Sequence, residues 1–225
     1  MNLSRVVRAE FHCHSVYSPD SLVRVEDLLA ACEQKNIDKL AITDHNRLEG
    51  ALRAHALDPQ RVIVGEEIQT TQGEILGYFM REEIPAGLEP LEVIRRLKDQ
   101  GAFISVAHPF DTNRDATHWQ PETLEAMLPF LDAFETFNAR CLRQTYNAQA
   151  QVFAQEHGLA GMAGSDAHSI YELGRATMLL ADFNDAMELR TALENAQWDV
   201  HLSSATVHLF SLWAKIVKKV HKPAL

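Results

Sequence analysis

The chain has little cysteine. Cys13, Cys32 and Cys141 are the three in 225 residues, and they lie far apart. That excludes a disulfide framework and a thiolate zinc site, and it leads us to expect a reducing, cytoplasmic setting. No run of about 18 apolar residues occurs, so no membrane span is expected, and the N-terminus lacks the apolar core of a signal peptide. Excess positive charge is also missing: 21 Lys and Arg against 31 Asp and Glu give a net charge of −10. A broad nucleic-acid-binding face is normally basic, so nucleic acid is expected at most as a short substrate. No repeat, low-complexity stretch or linker interrupts the sequence. With 46% hydrophobic residues, the chain can bury one substantial core, and residues 1–225 read as one domain of a size common among α/β barrels.

What is present is an alternation of strand-like and helix-like segments. Strands are expected at Val6–His12, Lys39–Thr43, Arg61–Val64, Ile75–Phe79, Phe103–Ala107, Leu131–Phe137, Leu159–Ala163 and Ala176–Leu180. Helices are expected at Val25–Lys35, Asn46–Ala56, Leu91–Gln100, Pro121–Leu128, Arg140–His157 and Asn184–Asn195, from their apolar spacing and terminal Gly or Pro signals. This rhythm predicts a mostly parallel sheet with right-handed crossovers. Ala205–Lys222 reads as an amphipathic helix with Leu209, Trp213, Ile216 and Val220 on one stripe and lysines at its end. It is expected to pack on the barrel or on a second copy of the chain, so a homo-oligomer through this helix is one expectation. A membrane-surface or nucleic-acid contact is the alternative.

Metal-ligand residue types recur at or just past the ends of these strands. They are His12-Cys13-His14, Thr43-Asp44-His45, Gly65-Glu66-Glu67, Ala107-His108-Pro109 and Asp166-Ala167-His168. Ligands gathered from the C-terminal ends of several strands converge on a barrel and can hold more than one ion. Strand alternation points His12 and His14 one way and Cys13 the other, toward a packed helix. Asp166 and His168 repeat that arrangement. Glu66 must point away from Glu67, which suggests an ion-pair role. Imidazole and carboxylate donors without thiolate suit Mn²⁺, Zn²⁺ or Fe²⁺. The longest polar loop, Asp111–His118, follows His108 and is a candidate active-site loop.

The ordered set His-x-His, Asp20 in HCHSVYSPD, TDH, GxE, AHP and SDAH resembles the PHP (polymerase and histidinol phosphatase) domain family over about residues 8–180. Phe134–Arg140 and the Gly164–Ser169 segment with Glu172-Leu173-Gly174 resemble its small stand-alone phosphoesterases. The resemblance implies a distorted (β/α)7 TIM-like barrel of the PHP type with two or three divalent metal ions. It implies that His12, His14, Glu67 and Asp166 hold one ion, with Glu67 bridging to a second that also uses His108. A third would use Asp20, His45 and His168. The second ion's remaining ligand is not supplied by the pattern. Glu135 is the best local candidate, because alternation puts Ala133, Glu135 and Phe137 on one face, and Asn138 is the alternative.

The implied chemistry is hydrolysis of a phosphate ester by metal-activated water, with Glu67, Asp166 and His168 as the catalytic set. Arginines near the motifs are candidates for gripping phosphate oxygens: Arg140 and Arg175 first, then Arg47 and Arg114. His118 is a weaker candidate for substrate contact. The leading expectation is a metal-dependent phosphoesterase acting on a small phosphorylated metabolite or nucleotide. A nuclease acting on short RNA or DNA ends is the alternative, and a non-catalytic metal-binding module is the alternative of another class.

Overall fold

The computed structural model describes residues 5–114 and 119–220. His118 and Lys222 therefore lie outside the described residues. Among these described residues nine strands form one sheet: β1 (Val6–Cys13), β2 (Lys39–Ile42), β3 (Val62–Gln69), β4 (Glu74–Tyr78), β5 (Phe103–Val106), β6 (Ala133–Asn138), β7 (Ala160–Gly164), β8 (Ala176–Ala181) and β9 (Gln197–Val200). Their order is β7-β6-β5-β4-β3-β2-β1-β8-β9. The sheet curls until the chain beyond β7 lies beside β1. Cys13 bridges Ala167 in parallel, and the His14 N–H donates to the Ala167 carbonyl at 2.8 Å. The result is the expected barrel, nearly closed.

The strand directions depart from expectation. The pairs β1–β2, β2–β3, β5–β6 and β6–β7 are parallel. β4 runs antiparallel to both its neighbours, and β8 and β9 continue antiparallel outside β1. The reason is connection length. Only residues 70–73 join β3 to β4, whereas a parallel return needs a crossover of roughly a dozen residues or more. One consequence matters for the site: β4 begins, rather than ends, at the barrel mouth.

Among the described residues seven α-helices accompany the sheet: α1 (Val25–Lys35), α2 (Glu49–Leu57), α3 (Pro90–Gln100), α4 (Pro121–Met127), α5 (Gln144–Glu156), α6 (Ala186–Leu193) and α7 (His208–Val220). α1 buries Val25, Leu28, Ala31 and Cys32 at helical spacing, and Asn36 ends it in the left-handed region at φ 54°. α2 starts later than expected because Asn46 is left-handed at φ 52° and its side-chain oxygen accepts from the Gln69 N–H at 2.8 Å. Asp185 caps α6 by accepting from the Met187 and Glu188 N–H groups.

Two apolar layers flank the sheet. One, with Cys13, Leu28, Leu40, Ile42, Val64 and Ile94, packs beneath the helices. The other includes Val7, Ala9, Phe11, Ala41, Ile63, Tyr78 and Phe103. Phe11 on β1 meets Tyr78 on β4, which is not its sheet neighbour, at 6.0 Å between ring centroids, so this second layer fills the curl. A register shift between Glu10 and Cys13 breaks the alternation of β1. An irregularity of this kind re-aims side chains. It lets Phe11 plug the barrel while the next residue, His12, also faces inward at the mouth.

Candidate metal centre

The mouth collects side chains from six strand ends. His12 and His14 come from the end of β1, Asp20 from the loop to α1, and His45 from just past β2. Glu67 comes from β3, Glu135 from β6, His108 from just past β5, and Asp166 and His168 from just past β7. Glu67 lies at the middle. Its Oε2 is 3.3 Å from His12 Nε2, 3.4 Å from His14 Nε2 and 2.9 Å from His45 Nδ1, and its Oε1 is 2.9 Å from His108 Nε2. Asp166 Oδ1 is 3.2 Å from His14 Nε2 and 3.7 Å from His12 Nε2. Asp20 lies 3.5 Å from His45 Nε2 and 3.3 Å from His168 Nε2.

Three overlapping groups have donor atoms within 4.8 Å of one another: His12, His14 and Glu67; His14, His45 and His168; and His45, Glu67 and Glu74. Five of the converging atoms are buried and make no hydrogen bond: His12 Nε2, His14 Nε2, Asp20 Oδ1, Glu67 Oε2 and Asp166 Oδ1. Leaving buried polar atoms unpaired costs about 1–3 kcal/mol each. Their gathering in one mouth fits bound cations.

The electrostatics are those of a carboxylate cluster that calls for positive charge: against burial, which lowers them, Glu67 chiefly holds His12 and His45 well above their ordinary value, as protonated rings whose charge a metal cation would replace. Burial lowers the pKa of His14 to about 3, aided by the charges of His168 and His45, so its imidazole is neutral, the form that binds metal. Burial alone would raise Glu67, but His45 and His12 outweigh it and hold the carboxyl well below its ordinary value. Asp166 is likewise pulled well down against burial by Arg114 and His12. Two of these residues sit in a sparsely populated backbone region, His108 at φ 26° and Asp166 at φ 52°. Such strain is typical of residues held for function.

A profile of the PHP domain matches residues 10–128, and a PHP-associated profile matches residues 144–197. The chain belongs to the PHP domain family. The uncharacterized protein MJ0417 of Methanocaldococcus jannaschii is 38% identical over 180 residues, covering 79% of this chain and 72% of its own. Low-identity crystal structures share the fold. A two-domain protein of Bacteroides vulgatus containing a predicted PHP-like metal-dependent phosphoesterase has a TM-score of 0.70 at 19% identity, over 95% of this chain and 71% of its own. A protein of Bifidobacterium adolescentis, provisionally described as a metal-dependent phosphoesterase, has a TM-score of 0.63 at 18% identity, over 82% and 95%.

In this PHP site the structure adds one donor that the motif reading missed. Glu74, the first residue of β4, has Oε1 3.5 Å from His45 Nδ1 and Oε2 3.4 Å from His108 Nε2. It occupies the place left open beside Glu67 and His108. Recognising β3–β4 as a hairpin would have revealed it.

Glu135 is not there, and the expectation that it is a metal ligand is corrected. Its Oε1 bonds His12 Nδ1 at 2.8 Å, the side of the ring away from the converging donors, and its Oε2 accepts from the His108 N–H at 2.7 Å. Asn138 is also engaged: its amide donates to Glu135 Oε2 at 3.0 Å and Asp166 Oδ2 at 3.2 Å. Ser18 was missed too. Its Oγ lies 3.0 Å from His14 Nδ1 and accepts from the His45 N–H at 2.8 Å, fixing two donors at once.

The arginines divide. A mouth cavity of about 310 Å³ is lined by Asp20, His45, Glu74, His108, Arg114, Trp119, Arg140, His168 and Lys215 among others. Arg114 reaches it and donates to Asp166 Oδ2 at 2.6 Å. Arg140 lines it but its guanidinium is already engaged: Nε sits 2.9 Å from Glu172, Nη1 2.7 Å from His168 Nδ1, and Nη2 donates to Ser211 Oγ at 2.9 Å. It is a strut, contrary to the phosphate grip expected. Arg175 donates to the Leu202 carbonyl at 2.6 Å, away from the cavity lining, and Arg47 is exposed outside it. Neither is brought to the cavity: Arg175 directly precedes β8 and Arg47 lies in the turn before α2, and each points where its own turn sends it.

Proposed function

We propose that this PHP chain is a metal-dependent phosphoesterase that hydrolyses a phosphate ester of a small metabolite or nucleotide. The observation that carries the reading is the convergence of five unpaired buried donor atoms beneath an open cavity. His12, His14, Glu67 and Asp166 would hold one ion. Glu67, His108 and Glu74 would hold a second, and Asp20, His45 and His168 a third. All-nitrogen and oxygen donors suit Mn²⁺, Zn²⁺ or Fe²⁺. Bound there, divalent ions would activate water and neutralise phosphoryl oxygens.

The protein's own groups do the rest. Glu135 and Ser18 fix the tautomers and ring planes of His12 and His14. Arg114, at the rim, offers a planar guanidinium to phosphoryl oxygens. Lys215 Nζ, 3.6 Å from Asp20, adds a second cation to the cavity lining. Arg140 holds His168 on the Nδ1 side, which leaves Nε2 facing Asp20 at 3.3 Å, where it would serve the third ion. Trp119 and Leu142 supply apolar walls, as small-molecule sites generally require.

The test is a screen of phosphomonoesters, cyclic phosphates and short oligonucleotides with added Mn²⁺. Turnover of a small ester, lost in Asp166→Ala, supports the proposal. Turnover of oligonucleotides alone would replace it with the nuclease reading. Tight metal binding without turnover in any class would favour a non-catalytic module.

A further inference from the structure

Of the two packings expected for helix α7, the structure does not show the apolar stripe against the barrel. Its buried residues are Ser211 and Ala214. The face turned to the barrel is tied by polar contacts: Ser211 Oγ accepts from Arg140, and Lys218 Nζ donates to the carbonyls of Val16 and Ser18. The apolar stripe is turned outward. Leu209, Leu212, Trp213, Ile216 and Val220 are 47–70% exposed, and helical spacing places them in one sector roughly 100° wide. The patch continues beyond the helix. Phe210, beside the stripe, stacks on Tyr171 with ring centroids 6.4 Å apart, and Tyr171 is 82% exposed.

We propose that this face is the interface of a two-fold dimer, in which the α7 stripe of one copy packs against the same stripe of a second copy. The area supports that occupant. At ordinary side-chain areas the patch amounts to roughly 800 Å² per copy, above the ~300–600 Å² typical of the largest patch on a monomer. Pairing the stripes alone would bury roughly 1,100 Å², and the whole patch with Phe210 and Tyr171 up to roughly 1,600 Å², which spans the range from the ~1,000 Å² a specific interface needs to its standard size. A two-fold dimer needs one self-complementary patch, and a continuous apolar stripe provides it. Charge weighs against an anionic lipid surface instead. The chain carries a net charge of −10, and Lys215 and Lys218 are directed at protein oxygens.

The inference does not depend on the phosphoesterase reading, but it touches the same site. The inner face of α7 holds Arg140, which holds His168, and Lys215 lines the cavity. Pairing would therefore brace one wall of the mouth.

The test is sedimentation velocity of the full chain from about 1 to 100 µM, with circular dichroism as the folding control. The expected result is a species of twice the 25.3 kDa chain mass. Trp213→Glu and, separately, Ile216→Lys should weaken it by about thirtyfold or more, as for a buried aromatic anchor. Leu212→Cys in both copies should cross-link them under mild oxidation, which reads the contact in a chain with the apolar stripe otherwise intact. A wild-type monomer throughout the range overturns the proposal, and its flotation with phosphatidylglycerol vesicles would assign the face to lipid. A dimer unaffected by both charged variants, with no cross-link at position 212, overturns it equally.

Discussion

Glu135 accepts from three partners at once: His12 through Nδ1 at 2.8 Å, the backbone N–H of His108 at 2.7 Å and the Asn138 amide at 3.0 Å. One carboxylate thereby sets the orientation of two donor residues on different strands. Glutamine has the same shape but only one acceptor oxygen, so its NH₂ would face an N–H donor. Glu135→Gln is expected to fold normally and to lose about ten- to a hundredfold in metal affinity. Calorimetric titration of metal-free protein with Mn²⁺ or Zn²⁺ measures this. An unchanged affinity would make Glu135 a bystander.

Glu74 lies between His45 and His108, and burial together with the charge of Glu67 raises its pKa. A carboxyl disfavoured in its charged form by a neighbouring carboxylate is relieved by a cation between the two. Elemental analysis of wild type after Mn²⁺ or Zn²⁺ supplementation should give at least two ions per chain. Glu74→Ala should lose about one equivalent, because His12, His14, Glu67 and Asp166 remain intact. A variant that keeps the full wild-type content would remove Glu74 from the metal-binding set.

How far the sequence could lead depended on strand parity and direction. The HxH, TDH, GxE, AHP and DxH elements were legible because each follows a strand-like run, and the barrel gathers strand ends. Cys13 was legible for the same reason; it is buried under the helices, and burial pushes its thiol pKa well up. Glu74 was hidden because it begins an antiparallel strand, whereas the motif pattern marks strand ends. Glu135 was placed on the correct face, yet the nitrogen of His12 it would meet depends on ring orientation, which no spacing encodes. The stripe of α7 was legible as a stripe, but Arg140 and Ser211 decide which way it faces. Arg175 shows the remaining limit: proximity in sequence to Asp166 did not bring it to the cavity.

Gly164 ends β7 against β1. A Cβ built there would lie 2.5 Å from His12 Cβ and 2.5 Å from Glu135 Oε1. Neither neighbour can yield without moving a donor. Gly164→Ala is expected to cost about 1–3 kcal/mol of stability from overpacking and to reduce metal affinity at least as much as Glu135→Gln. Thermal melting and metal titration together check this. Loss of stability with unaltered metal binding would show that the strain escapes into the β6–β7 pair, away from His12.

Glu66 points away from the metal centre, and its Oε2 accepts from the Ile84 N–H at 3.0 Å. Burial, with Glu83 nearby, raises its pKa to about 8. The sign follows from proton counting. Between its ordinary value of 4.5 and about 8, the folded chain keeps this proton while the unfolded chain has released it. Stability therefore falls as pH rises through that window and levels off above it. Glutamine keeps an acceptor for Ile84 and removes the titration. Glu66→Gln should raise Tm relative to wild type by at least about 2 °C at pH 8.5, a shift of the size expected from under 1 kcal/mol. The gain should shrink toward zero near pH 4.5. Taking the difference between variant and wild type at each pH cancels the pH dependence of metal binding shared by both. A constant difference from pH 4.5 to 8.5 would mean that Glu66 is ionised in the folded chain, held by a partner other than Ile84.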